Sequence, residues 1–331
     1  MVKTLYMLAR ILVPFNLRVS VKKILNKTKQ GRNLLEKLDQ TSYFSQSKIT
    51  FNIAGYDLLI PKRHHIIVIR EREPFRENLL ARASTVLLRH TDDNFIDVGA
   101  NVGDTAAVIY ANATASPSSI LIEPSEFFFG FLKANQHLFP KSLILQEFVA
   151  IEYPLRNTNG SLHHWGGTAK FIESKLNNSF NQISQIDLAS IIDKNVRLVK
   201  IDCDGFDFKI LNSVIPRIQP HRPAFYYENE ITTLDHLSEA VEVIKNFKKA
   251  GYKYVIAARN CGILIYGGEI NSSLQDIFDL QFLLYSNKLR SALYYTDILV
   301  FHASQEDEFV ATLKLVRDSQ HKKINSSQLA D

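Results

Sequence analysis

Cysteine is scarce: the 331 residues hold only Cys203 and Cys261, which supply neither a disulfide framework nor a zinc-ligand spacing. A reducing cytoplasm is the setting that fits. No apolar run approaches the roughly 20 residues a membrane-spanning helix needs, and there is no internal repeat or low-complexity block. Acid is missing from residues 1–32, which carry eight basic groups: Lys3, Arg10, Arg18, Lys22, Lys23, Lys27, Lys29 and Arg32. Setting these eight aside from the chain's 39 Lys and Arg leaves 31 basic against 34 acidic residues, a net of −3 for the body. The positive charge therefore belongs to an arm, and no nucleic-acid-binding face is expected on the body. In that arm Arg10 interrupts the apolar positions Leu5, Met7, Leu8, Ile11, Leu12 and Val13, and no small-residue cleavage site follows, which argues against a signal peptide. Pro14 would end a first helix. Two uses of residues 1–32 stay open: a helix packed on the body or on a partner subunit, or a basic amphipathic segment that makes the protein peripheral to a membrane.

What is present suits one large α/β domain, because 46% of the residues are apolar and a sizeable core can form. Residues 48–60 are expected to form two short strands around Ala54-Gly55, and residues 74–90 show helical spacing at Leu79, Leu80, Ala83, Val86 and Leu87. From residue 94 strand and helix alternate. Strands are expected over 94–98, 120–123, 142–149, 196–202, 223–229, 252–257 and 296–302, with a short extra one at 263–266. Helices fall over 103–112, 125–138, 187–194, 205–215, 235–250, 274–290 and 305–317. Residues 150–186 are less regular, and the polar end from His321 is expected to fray. Domain boundaries follow: an arm over 1–32, an extension of short strands and helix over 33–93, the main domain over 94–318 and a polar tail over 319–331. Repeated βα units demand a mostly parallel sheet with helices on both faces, whose ligand sits at the carboxyl ends of the strands.

The residues just after those strands carry the chemistry. The first strand ends in Asp97-Val98-Gly99-Ala100-Asn101-Val102-Gly103-Asp104. Gly99 and Gly103 allow a tight strand-to-helix turn, and Asn101 tolerates left-handed backbone angles. A dinucleotide reader would want G-x-G-x-x-G here, and that third spacing is missing. The loop suits instead a ligand with a carboxylate, an ammonium and a ribose but no diphosphate, as S-adenosylmethionine has, with Asp97 anchoring the ammonium end. The alternative is a merely structural turn. The second strand closes in Glu123-Pro124-Ser125. An acid 26 residues after Asp97 can accept from both ribose hydroxyls, although an isolated strand-end glutamate is usually only solvated. Pro124 fixes the exit and Ser125 suits a helix cap. Val149, closing the expected strand over 142–149, joins the same donor set.

The third segment, Lys200-Ile201-Asp202-Cys203-Asp204-Gly205-Phe206-Asp207, sends carboxylates from a strand tip towards the place a sulfonium and an incoming hydroxyl would occupy. Asp204 and Asp207 have a plainer reading as acids favoured by a helix N-terminus. In the irregular stretch, His163, His164 and Trp165 lie in a glycine-flanked loop over the strand ends; either they serve catalysis and stacking or they simply pack. Phe127, Phe128, Phe129 and Phe131 are expected to pack a helix on the sheet.

Taken together, FIDVGANVGDT (95–105), LIEPS (121–125) and LVKIDCDGFDFKIL (198–211) resemble the FkbM family of methyltransferases. The likeness spans roughly residues 90–230 and weakens towards 302. It implies a Rossmann-like, seven-stranded methyltransferase sheet, S-adenosylmethionine as donor and a hydroxyl acceptor on a sugar, glycan or natural product. Glu228 matches a family acid after the next strand. Asp204 stands where the family commonly has a glutamate, which holds the same charge about one methylene further back.

Methyl transfer is an in-line displacement, and an alcohol acceptor needs a base; Asp202, Asp204, His163, His164 and Glu228 are the candidates. Convergence of Asp202, Asp204 and Glu228 would allow Mg²⁺ to acidify a diol, a less favoured route in which no metal ligand is assigned. Two other functions compete: a nucleotide-dependent oxidoreductase, disfavoured by the missing glycine, and a non-catalytic donor-binding scaffold on the same fold. The acceptor itself is not legible, because variable loops such as 155–186 and 258–292 would shape its pocket.

Overall fold

The computed structural model describes residues 47–62, 64–73, 76–152, 160–165, 168–173, 184–218, 220–259, 262–287 and 295–328. The basic arm over 1–32 lies outside them. The extension begins with an antiparallel hairpin, β1 (Lys48–Ile53) and β2 (Tyr56–Pro61), turning at Ala54-Gly55 as expected. Two helices follow, α1 (His65–Arg72) and α2 (Asn78–Leu87). The helix expected over 74–90 is thus shorter. Glu77 takes a left-handed φ of 62° immediately before Asn78, so no helix can run through it.

The main domain runs β3 (Asn94–Val98), α3 (Asp104–Asn112), β4 (Ser118–Ile122), α4 (Glu126–Asn135), β5 (Ser142–Leu145), β6 (Phe148–Val149), β7 (Gly160–Trp165), β8 (Thr168–Glu173), β9 (Gln185–Ile186), α5 (Leu188–Ile191) and β10 (Val196–Ile201). It continues through α6 (Asp207–Val214), β11 (Ala224–Glu230), α7 (Leu234–Lys249), β12 (Tyr252–Ala258), β13 (Leu264–Glu269), α8 (Ser272–Ser286), β14 (Tyr295–His302) and α9 (Glu306–Gln328). The sheet has the order β13-β12-β14-β11-β10-β3-β4-β5. Pairings from β5 through β11 are parallel, β14 is antiparallel to both β11 and β12, and β13 is antiparallel to β12. The seven expected strands are all there, and β13 adds an eighth at the edge. This is the Rossmann-like arrangement anticipated from the alternation of elements.

Alternate residues of each strand feed two cores, as the two-residue period of a strand requires. Phe95, Leu121, Leu198, Tyr226 and Leu299 face the extension, α2, α3, α4 and α9. Ile96, Ile122, Val199, Phe225 and Val300 face α6, α7 and α8. Helices cover both faces, and the extension shares the first core: Ile53, Leu58, Ile60 and Leu80 pack with Phe95 and Phe128.

Three segments depart from the sequence reading. The strand expected over 142–149 is broken. After Leu145 the backbone leaves β4, and Phe148 and Ala150 donate to Ser184 and Ile186 across β9. The irregular stretch contains a hairpin, β7 with β8, in which Trp165 pairs with Thr168. Helix α9 reaches Gln328 instead of fraying from His321; Ser319, where the helix was expected to have ended, accepts from Asn78 Nδ2 at 2.8 Å and ties that stretch to α2. Among the described residues no helix is long and apolar enough to cross a membrane.

Candidate functional site

From β3 the chain winds outward through β4 and β5, then returns to lay β10 on the other side of β3. The crevice outside the carboxyl ends of β3 and β10 is therefore where a ligand belongs. A cavity of about 240 Å³ opens there.

Its floor is the loop after β3. Gly99 has a φ of 78°, and a Cβ on it would stand 1.9 Å from the carbonyl oxygen of Asp202. Asn101 follows with a φ of 51°. The amides of Gly99 and Ala100 donate to the Ile122 carbonyl at 2.9 and 3.0 Å, which closes the loop against the end of β4. Glu123 completes that closure from the other side. One carboxylate oxygen accepts the Asn101 amide at 2.9 Å and the other the Ser125 amide at 2.8 Å. Burial pushes the Glu123 carboxyl up to about 7, although both amides pull it down. Each oxygen keeps a second lone pair for a ligand hydroxyl. Ser125 caps α4 through its hydroxyl, which accepts from Phe128 N at 3.2 Å.

Behind the floor lies a buried ion pair. Lys200 in β10 is register partner to Asp97 in β3, and its Nζ stands 2.9 Å from Asp97 Oδ1. It also donates to the Gly99 carbonyl at 3.1 Å and lies 3.6 Å from Asp202 Oδ2. Thr105 donates to the other Asp97 oxygen at 2.6 Å. Burial opposes the Lys200 charge, but Asp97 and Asp202 outweigh it and hold the ammonium above its usual value.

One rung further along the strands the carboxyls gather. Glu228 in β11 is paired directly with Asp297 in β14. Two like groups across a ladder repel unless a proton or a cation comes between them. Both devices are present. Burial, reinforced by Asp202 and Asp207, pushes Glu228 well up, and burial pushes Asp297 up to about 7 against the pull of Arg76. Arg76 and Glu77 reach this rung from the turn before α2, and with Tyr226, Tyr295 and Lys200 they line a smaller pocket that adjoins the first. Glu77 is ion-paired with Arg70, yet burial still raises it to about 7.

Of the residues expected to bind the donor, Gly99, Asn101, Glu123, Pro124, Val149 and Asp202 line the cavity. Asp97, Gly103 and Ser125 stand behind its wall. The Asp97 carboxylate is taken up by Lys200 and Thr105, Gly103 lets the loop pass Phe139, and Ser125 caps a helix. Of the expected catalytic groups, Asp202, Asp204 and Glu228 line the cavity. Asp204 has a φ of 48°, a conformation that aspartate tolerates better than glutamate and that accounts for the shorter acid here. His163 lies on β7, but the side chains of His163, His164 and Trp165 fall outside the described residues; their neighbour Leu162 does line the cavity. Phe128 and Phe131 are buried on the sheet as expected, with Phe127 and Phe129 partly buried beside them.

Sequence reasoning missed His64, Arg76, Glu77, Asp104 and Asp297. A signal did exist for Lys200, a lysine in the middle of an apolar strand that must find a buried partner. Among the described residues no three or more His, Cys, Asp or Glu are grouped so as to hold a metal ion. The side chains present fit S-adenosylmethionine: a carboxylate and an asparagine at the polar end, and Ile122, Phe148, Val149 and Leu162 as apolar surface for an adenine.

Residues 97–254 match the methyltransferase FkbM domain. No curated protein matches the chain. Among solved structures, a SAM-dependent methyltransferase from Aquifex aeolicus is 10% identical over 70% of this chain and 93% of its own, with a TM-score of 0.36. The methyltransferase FkbM from Methylobacillus flagellatus KT is 16% identical over 51% of this chain and 41% of its own, with a TM-score of 0.34. M. jannaschii TYW2 in complex with AdoMet is 8% identical over 77% and 86%, with a TM-score of 0.38.

Proposed function

We propose that this chain, whose residues 97–254 match the methyltransferase FkbM domain, is an S-adenosylmethionine-dependent methyltransferase that methylates a hydroxyl oxygen on a sugar, glycan or natural product. The observation that carries the oxygen is the gathering of Asp202 and Glu228 at the strand ends, where both line the cavity beside the donor loop. An alcohol is a weak nucleophile near neutral pH and needs its proton taken as the new bond forms. S-adenosylmethionine supplies the methyl group on a sulfonium that is already a good leaving group. The chain's part is to align the acceptor, exclude water and handle the proton.

The two carboxyls divide that work. Glu228, whose carboxyl burial pushes well up, is the less charged of the two and orients the acceptor through a hydrogen bond. Asp202, with its side chain 40% exposed and Lys200 at 3.6 Å, is the group that takes the acceptor's proton. On the donor side Glu123 receives the ribose hydroxyls, and Gly99 and Asn101 face the methionine part. Asp204 adds negative charge beside the sulfonium. The few cysteines support a reducing cytoplasmic setting, and the basic segment over 1–32 supports a contact with an anionic membrane or a partner subunit.

Asp202→Asn tests the reading. It keeps the shape of the side chain and removes its charge and basicity, so kcat should fall by roughly 10²–10⁴-fold while donor affinity changes little. Assays with a chelator separate the two ways Asp202 can act: a base is insensitive, whereas a metal ligand is not. Near-normal turnover would remove Asp202 from the chemistry and turn attention to His163 and His164.

A further inference from the structure

The donor loop does not stand alone on the domain that the family match covers. His64, 33 residues before that match begins, is 6% exposed and lines the cavity. Its Nδ1 is the cap of α1 and lies 3.2 Å from the Ile66 amide nitrogen. An amide can only donate, so Nδ1 bears no proton, and the proton of the neutral ring sits on Nε2. That Nε2–H points to Asn101 Oδ1 at 3.1 Å. The ring is held in place by an edge contact on Phe128, with centroids 5.8 Å apart. Asn101 in turn gives its own backbone N–H to Glu123. A continuous line of hydrogen bonds therefore runs from the first turn of α1 through His64 and Asn101 to the acid at the end of β4.

We propose that His64 is a positioning residue of the donor site, holding the Asn101 side chain in place through Nε2–H so that the extension takes part in donor recognition. The proposal rests on the donor reading of the loop at Gly99–Gly103. Asn101 sits in a left-handed conformation that few residues adopt, and a second fixed point on its side chain keeps the loop in the one arrangement that also satisfies Glu123. Residues His65, Ile66 and Ile69 of α1 line the same cavity, so the helix that His64 caps is itself part of the wall.

Two substitutions separate the two nitrogens of the ring. Asn at 64 places an oxygen where Nδ1 was and keeps the cap, but it is too short to reach Asn101. Gln places an N–H where Nε2 was and keeps the Asn101 bond while giving up the cap. Calorimetric titration of the full chain with S-adenosylmethionine should show H64N binding about five- to tenfold more weakly than wild type and H64Q within about twofold, as loss of one buried hydrogen bond implies. Steady-state kinetics should show the H64N effect in the donor KM, with kcat at saturating donor little changed. Asn101→Gly should weaken binding similarly, and adding H64N to it should cost nothing more, because both remove one bond; if H64N folds poorly, Asn101→Gly read against H64Q stands in for it. Normal donor affinity in H64N, or a defect in H64Q alone, would mean that His64 is only a helix cap and would overturn the proposal. A wild type that does not bind S-adenosylmethionine would instead overturn the donor reading on which it rests.

Discussion

Lys200 shows how much a single residue in a buried strand commits the rest. It is 1% exposed, and its ammonium is tolerable only because Asp97, Thr105 and the Gly99 carbonyl surround the pair. Replacing it by Met leaves Asp97 charged and buried with no cation. Lys200→Met should therefore lower the unfolding free energy by about 3–5 kcal/mol in urea titration, and adding Asp97→Leu should restore most of it, since a buried pair is worth little over apolar side chains. A loss below about 1 kcal/mol in the single variant would mean that the ion pair is not formed. The same pair explains what the sequence left unread at this scale. Asp97 stands at the right place to be taken for a ligand contact, and only Lys200, seven strands later in the chain order yet adjacent in the sheet, accounts for its charge. Glu123 was legible because its neighbours in sequence, a proline and a cap residue, mark a strand end. Asp297 was not, because its meaning comes from facing Glu228 across a ladder.

At the scale of elements, the loop between β3 and α3 was legible to the residue, since glycine at 99 and 103 and asparagine at 101 carry their backbone angles in their chemistry. Gly99→Ala tests it. The added methyl would meet the Asp202 carbonyl at 1.9 Å, and that carbonyl directly follows the central strand β10, so the loop must move. Donor affinity should fall at least about tenfold and thermal stability should drop, because alanine is also strained at positive φ. Calorimetry and a melting curve check both; an alanine variant that binds as wild type would show that the loop is not held against β10. Other elements were hidden for physical reasons. Helix α1 contains Ile66-Ile67-Val68-Ile69, a β-branched run whose local preference is for a strand; it becomes helix because His64 caps it and Ile66 reaches the core. The β7–β8 hairpin lay in a stretch read as irregular, although two glycines between runs of apolar and polar residues are a hairpin signal.

At the scale of the whole molecule, the mostly parallel sheet with helices on both faces followed from the alternation of strand and helix, while the reach of the extension into the site did not, since contacts between residues far apart in sequence leave no local pattern. That reach gives the protein an acidic centre with a consequence for its stability. Burial raises Glu77, Glu123 and Asp297 from ordinary carboxyl values to about 7, and Asp207 to about 8. In the unfolded chain all four titrate near 4, so between about pH 4 and about pH 8 the native state binds more protons than the unfolded one. Stability from these groups is complete below that window and is lost as the pH rises through 7 and 8. Melting of the ligand-free chain should then fall steadily from about pH 5 to about pH 8.5, against the usual expectation of a plateau over that range. Asp207 does not line the cavity and titrates last, so Asp207→Asn should flatten the curve above about pH 7 and make it less steep below. A melting temperature that holds level or climbs over this range would mean that these carboxyls are ionised in the folded protein, and the acidic centre would have to be neutralised by cations rather than by protons.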